Sequence, residues 1–161
     1  MAPSSEPDRA RVEAFWHRAI ASGAIDASTP LPSVVEPFGD SAELADELIA
    51  LVVDGPKRAT AGALADYERE SADVPVPGAL SIATDGRGRP RAVLQTTAVR
   101  VGPLSSVDDS FAWDEGEGDR TRRSWLEDHE TFFRRYLPTI GIDFDREMAT
   151  VFERFDVLYA E

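Results

Sequence analysis

Apolar positions recur at helical intervals in three stretches of the chain and at strand-like density in three others. From Pro7 to Ser22, Val12, Phe15, Trp16 and Ala19 fall on one face of a helix, with Gly23 just past its end. A second helix begins near Ser41, where Asp40 and Glu43 have capping-box spacing. Leu44, Leu48, Leu51 and Val52 carry its stripe to Asp54, and Gly55-Pro56 stops it. Thr60 reads as the N-cap of a third helix through Glu70, which places Lys57 just outside that helix mouth. Between Asp119 and Leu137, Trp125, His129, Phe132, Phe133 and Tyr136 form an aromatic stripe at helical spacing. Ala79–Thr84 and Arg91–Val101 read as strands of a hairpin divided by the turn-rich Asp85–Pro90. Val151–Tyr159, with Val151, Phe155, Val157 and Tyr159 on one face, reads as a closing strand.

Helices framing a small antiparallel or mixed sheet predict an α+β domain with a barrel-like sheet. At 161 residues the chain fits a single domain, 1–161, with 1–30 as an N-terminal helical extension. The absence of cysteine excludes disulfides and thiol chemistry and accords with a reducing cytosol. Two histidines, His17 and His129, leave little for an imidazole metal site, and no cofactor is expected. His129 on its aromatic stripe reads first as a satisfied core or rim histidine. The first residues, Met1 to Glu6, lack a basic segment followed by an apolar run, and no apolar stretch approaches bilayer length. These features predict an unprocessed cytoplasmic protein with no membrane partner.

A formal charge of −13 argues against indiscriminate nucleic-acid binding, because phosphate neutralisation supplies most of that affinity. DNA is not an expected partner, and any RNA must meet a local basic surface. Two clusters offer one: Arg87, Arg89 and Arg91, and Arg120, Arg122 and Arg123. The competing reading is that each cluster pairs with nearby acids and solvates its own element.

Lys57 is the single lysine beside sixteen arginines, and an ammonium, unlike a guanidinium, can lose its proton when desolvated. Thr60 follows three residues later. A hydroxyl becomes a competent nucleophile only when a neighbouring base takes its proton, so the two side chains suit a paired role. A helix-flanking charge and a plain cap would account for the same residues. The acidic, glycine-rich run Trp113-Asp114-Glu115-Gly116-Glu117-Gly118-Asp119 precedes the aromatic helix. Its glycines let a substrate approach the main chain, and its carboxylates are suited to orient Lys57, exchange a proton or hold a hard cation. The plainer reading makes Asp119 the cap of the following helix and the others solvated loop acids.

Phe38-Gly39-Asp40-Ser41, Glu43–Leu48, Gly55–Ala61, Asp66-Tyr67-Glu68, and Glu115–Arg120 followed by Trp125, His129, Phe132 and Phe133 occur in an order and spacing that resembles the longer bacterial ASCH-domain proteins. The likeness runs from about Phe15 to Tyr159. It implies a PUA-like fold, a small β-barrel with flanking helices and here an extra N-terminal helix, and an RNA or RNA-derived ligand. Some small bacterial members are amidohydrolases that remove the acetyl group from acetylcytidine with a lysine, a threonine three residues later and a glutamate from a later loop. By that resemblance the catalytic residues are Lys57, Thr60 and Glu117, with Glu115 a close rival for the acid. Thr60 would attack, Lys57 would activate it and Glu117 would orient Lys57. Arg58, Tyr67, Trp113, Glu115 and Arg120 are the expected ligand-binding residues. The alternatives are a non-catalytic RNA-binding or regulatory module, in which Tyr67 or Trp113 stacks on a base, and a metal-dependent ribonuclease, the one reading that calls for a divalent cation.

Overall fold

The computed structural model describes residues 6–161. The expectation about processing concerns in part Met1 to Ser5, which lie outside the described residues. The chain forms two compact units. One comprises residues up to Gly55 with Gly78–Thr96 and Phe155–Glu161; the other comprises Pro56–Pro77 and Thr97–Arg154. Strands follow the hydrogen-bonded order β1-β3-β4-β5-β2.

In the first unit, helix α1 (Arg9–Ala21) starts at Asp8, whose carboxylate accepts from Arg11 N at 3.0 Å. Its expected face, Val12, Phe15, Trp16 and Ala19, is buried and packs with Ile25, Ile82 and Val93. Each such large side chain contributes about 1.5–3 kcal/mol when fully buried. Strand β1 (Val35–Pro37), which the sequence did not announce, runs parallel to β3 (Leu80–Thr84). Helix α2 (Ala42–Val53) is capped by Ser41, whose hydroxyl accepts from Leu44 N at 3.2 Å. The Asp40/Glu43 capping box is therefore not formed: Ser41 occupies the cap in an extended conformation, and Glu43 falls in the first turn beside the helix dipole.

The hairpin is present as β3 and β4 (Pro90–Pro103), antiparallel, with Leu80 opposite Gln95 and an irregularity at Ala83/Thr84. Its turn is organised from within. Asp85, only 1% exposed, accepts from Arg87 N at 2.9 Å, Arg89 N at 3.0 Å and Arg89 Nε at 2.7 Å. Burial opposes ionisation of Asp85, but these hydrogen bonds and the Arg89 charge outweigh it and lower its pKa. Asp46 accepts from Gly86 N at 2.9 Å. A Cβ at Gly86 would lie 2.2 Å from the Ala42 carbonyl oxygen, so glycine is required by that close approach.

In the second unit, residues 59–63 correct the expected third helix. Ala59–Ala63 is strand β2, antiparallel to β5 (Ala149–Ala160), with Thr60 opposite Glu153 and Ala61 opposite Phe152. Thr60 is not an N-cap, and Lys57 precedes a strand rather than a helix mouth. Helix α3 (Leu64–Glu70) begins only at Leu64, with Ala63 at its cap and no side-chain cap bond. Helix α4 (Asp109–Glu115), also unforeseen, is capped by Asp108, which accepts from Phe111 N at 2.7 Å. The aromatic helix α5 (Arg122–Tyr136) starts after Thr121, whose hydroxyl oxygen accepts from Ser124 N at 3.1 Å. Asp119 is not its cap; its carboxylate accepts from Thr121 N at 2.9 Å and Thr121 Oγ1 at 2.6 Å. Phe111, Trp125, Leu126, Phe133, Leu137 and Phe152 pack over Ala59 and Ala63. Among the described residues no helix is long and apolar enough to cross a membrane.

Candidate functional site

The second unit holds Lys57 in place before its side chain is considered. Gly116 ends α4 with φ +71°, and a Cβ there would lie 2.9 Å from Lys57 N, so the acidic loop's glycine admits the chain's own backbone. Arg58 N donates to Asp114 O at 2.7 Å, and Arg58 Nη1 donates to Lys57 O at 2.6 Å. These contacts bring the end of α4 against the Lys57-Arg58 segment.

Lys57 is 1% exposed. Its Nζ donates to Ala59 O at 2.8 Å and to Glu117 Oε2 at 3.3 Å, and lies 3.6 Å from Glu115 Oε1. A buried ammonium is tolerated only when such partners replace its hydration. The sequence expectation paired Lys57 with one acid from the loop, with Glu115 and Glu117 as rivals; both carboxylates reach it.

They do so from different environments. Glu115 is buried, and its Oε2 accepts from Trp125 Nε1, while its Oε1 lies 2.9 Å from His129 Nε2. His129 Nδ1 lies 2.8 Å from Trp125 O. Trp125 O can only accept, so Nδ1 carries a hydrogen, and an ionised Glu115 facing Nε2 favours a second one, the imidazolium form of His129. Its ring lies nearly parallel to the Trp125 indole, centroids 3.7 Å apart and planes 11° from each other, a stacking that suits a cation. Burial works against the charge on His129, but the Glu115 carboxylate and its hydrogen bond prevail and raise the pKa.

Burial likewise opposes ionisation of Glu115, yet the charges of His129 and Lys57 and the histidine hydrogen bond hold its carboxyl well below the usual range. Glu117, with about a quarter of its side chain exposed, behaves oppositely. Burial pushes it up to about 7; Lys57 opposes the rise, and the neighbouring Glu115 reinforces it. Two carboxylates share one ammonium, but only Glu117 exchanges its proton near neutral pH.

Glu115, Glu117 and His129 also offer atoms within 4.8 Å of one another, a spacing a cation can bridge. Lys57 Nζ already lies against the same two carboxylates, and a doubly protonated His129 would have no lone pair to donate.

The remaining expected residues divide. Thr60 lies on β2, one residue beyond the Ala59 carbonyl that holds Lys57 Nζ; its hydroxyl makes no hydrogen bond with a described residue. Trp113 is 57% exposed, and the Arg120 guanidinium sits 3.6 Å from its ring centroid while Arg120 Nε donates to Trp113 O at 2.9 Å. These two engage each other. Tyr67 is half-buried on α3, with its ring beside Gly62. The rest of the second arginine cluster works locally: Arg122 donates to the Val107 and Ser105 carbonyls, and Arg123 pairs with Glu127.

His129 and Trp125 join the site without having been assigned to it from sequence. The available signal was their spacing of four, one helical turn, immediately after an acidic loop.

The α+β architecture with its mixed sheet is that of the PUA-related class, a fold associated with RNA binding. The ASCH domain model matches residues 34–159, and the chain belongs to the ASCH domain family. A crystal structure of a DUF984-family protein from Enterococcus faecalis V583 is 35% identical, with TM-score 0.80, covering 92% of this chain and 88% of that one. The ASCH domain from Lactobacillus crispatus JV V101 is 27% identical, with TM-score 0.81, covering 94% of this chain and 96% of that one. No curated protein matches the chain.

Proposed function

We propose that the chain binds an RNA-derived nucleoside and hydrolyses an acyl group from its exocyclic amine, acetylcytidine being the representative substrate. One observation carries the reading: a buried lysine shared by two carboxylates, of which Glu115 stays ionised and Glu117 is pushed up to about 7. A purely structural ion pair needs no member that titrates near neutrality, whereas proton transfer does.

In this reading Thr60 Oγ1 attacks the acyl carbon. Lys57 first gives a proton to the Glu117 carboxylate; the neutral amine then takes the Thr60 proton, and Glu117 passes its own to the departing amine as the carbon–nitrogen bond breaks, which restores the Lys57 ammonium and the Glu117 carboxylate. Water then cleaves the acyl-threonine ester, releasing acetate and restoring the hydroxyl. Lys57 Nζ is bonded to the carbonyl next to Thr60, which supports a shared role, and the Thr60 hydroxyl is uncommitted to any described residue. A nucleoside has no phosphate backbone, so the charge of −13 does not oppose its binding.

A second reading, RNA binding without catalysis, is favoured by the exposed Trp113 ring, whose stacked Arg120 makes a flat cationic surface for a base. A metal-dependent ribonuclease draws on the Glu115, Glu117 and His129 cluster but must overcome the Lys57 charge. Incubating the purified protein with a panel of acylated and plain nucleosides, with mass-spectrometric detection, tests the primary reading. Conversion of acetylcytidine to cytidine is expected; an unchanged acylated panel would contradict it. RNA affinity that falls steeply with salt, with no turnover, would favour the second reading.

A further inference from the structure

The first arginine cluster has a different fate from the second. Arg89 and Arg91 line a pocket of about 380 Å³ with Arg11 and Arg18 of α1, together with Ala14, Pro90 and Glu161. Every one of these residues lies in the first unit, and none takes part in the Lys57 site. Four arginines on one concavity are unusual in a chain of net charge −13. Only Glu161 among the lining residues is acidic, and Asp85 beside the pocket neutralises Arg89. Counting side chains alone, four guanidiniums against Glu161 and Asp85 leave two positive charges.

The concavity is open to solvent, with Arg18 and Arg89 each about half exposed, but the turn beside it is fixed from within. Asp85, buried at the centre of its turn, fixes the backbone that presents Arg89, and Gly86 seats that turn against Ala42. Arg18 Nε and Nη2 hold the Glu161 carboxylate at 2.8 and 3.2 Å, a two-pronged grip of the kind guanidinium groups give carboxylates and phosphates alike. Arg91 Nε donates to Glu161 O at 2.5 Å. The Arg11 guanidinium has no ion-pair partner among the described residues.

We propose that this pocket is a binding site for a phosphate monoester on a small molecule, with the Glu161 carboxylate as an internal competitor for Arg18. The volume is that of a small-ligand pocket and exceeds what a bare phosphate needs, which leaves room for the organic group attached to the phosphate. Arg11 and Arg91 supply charge, and Arg18 supplies the fork once Glu161 yields.

Calorimetric titration of the full chain with cytidine 5′-monophosphate, inorganic phosphate and cytidine tests this. The monophosphate is expected to bind more tightly than inorganic phosphate. Arg11→Gln, at an exposed position, should weaken binding about tenfold, and Glu161→Gln should tighten it by a similar factor, as loss and gain of one charge-assisted contact imply. Inorganic phosphate binding as tightly as the monophosphate would overturn the monoester assignment. Equal affinities in wild type, Arg11→Gln and Glu161→Gln would overturn the site. Because Arg11 and Glu161 are remote in sequence and role from Lys57, Thr60 and Glu117, failure here leaves the hydrolytic reading standing, and the converse holds.

Discussion

His129 Nε2 meets Glu115 Oε1 at 2.9 Å within the second unit, while the other nitrogen of the same ring meets the Trp125 carbonyl at 2.8 Å. Facing two acceptors, the imidazole is favoured in its protonated form, and that charge favours the ionised form of Glu115. Glu117 is left as the carboxyl that carries the exchangeable proton.

Nitrogen-detected NMR should therefore find both His129 ring nitrogens protonated at neutral pH. His129→Gln keeps one donor toward Glu115 but removes the charge. It is expected to move the proton-transfer inflection assigned to Glu117 and to lower turnover, with the fold retained. A neutral His129 at pH 7 would contradict this assignment.

The folded-state pKa of Glu117 lies above its ordinary 4.5, at about 7. The folded chain thus binds a proton that the unfolded chain has already released. This group's contribution to stability is fully present below about 4.5 and is lost as pH rises through about 7. His129, also raised, contributes stability that is lost as pH rises through its own folded value, whereas Glu115, depressed, contributes stability that is lost as pH falls. Glu117→Gln should flatten the loss between about 4.5 and 7 in urea titrations at graded pH, and should also remove the neutral inflection in the rate profile.

Removing one partner of the buried ion pair should be costly. Lys57→Ala leaves Glu115 buried with a single cation, and Glu115→Ala leaves both Lys57 and His129 short of their shared anion; each is expected to cost about 3–5 kcal/mol by denaturant unfolding. Glu117→Ala, at the more exposed carboxyl, should cost far less. Equal losses at both glutamates would refute the different roles given to them.

Gly86→Ala should destabilise the first unit, because the added methyl meets the Ala42 carbonyl at 2.2 Å. Overpacking of this kind costs about 1–3 kcal/mol or more. Hydrogen exchange at the 85–89 turn amides reads the effect locally, and unchanged protection there would show that the turn is not so constrained.

Sequence periodicity revealed α1, α2, α5 and the β3–β4 hairpin because each carries its own pattern, whether an apolar stripe or a turn between strands. It misread residues 59–63, where Ala-Thr-Ala-Gly-Ala offers one β-branched residue, Thr60, and no aromatic; antiparallel pairing with β5, some ninety residues away, makes it a strand. The cap of α2 was misplaced by one residue because Asp40 and Ser41 are both good caps, and backbone geometry chose the serine. At the site, the resemblance pointed to Lys57 and the acidic loop, but the division of labour between Glu115 and Glu117 depends on burial and on a histidine from α5. None of that is written in local spacing. The convergence of Arg11 and Arg18 with Arg89 and Arg91 was equally hidden, since it joins α1 to a distant turn.

The most direct test of the central claim is cytidine formation from acetylcytidine by the wild-type chain and by Lys57→Ala, with circular dichroism confirming that the variant is folded. The account predicts turnover in the wild type and none in the variant. Full turnover by folded Lys57→Ala would contradict it.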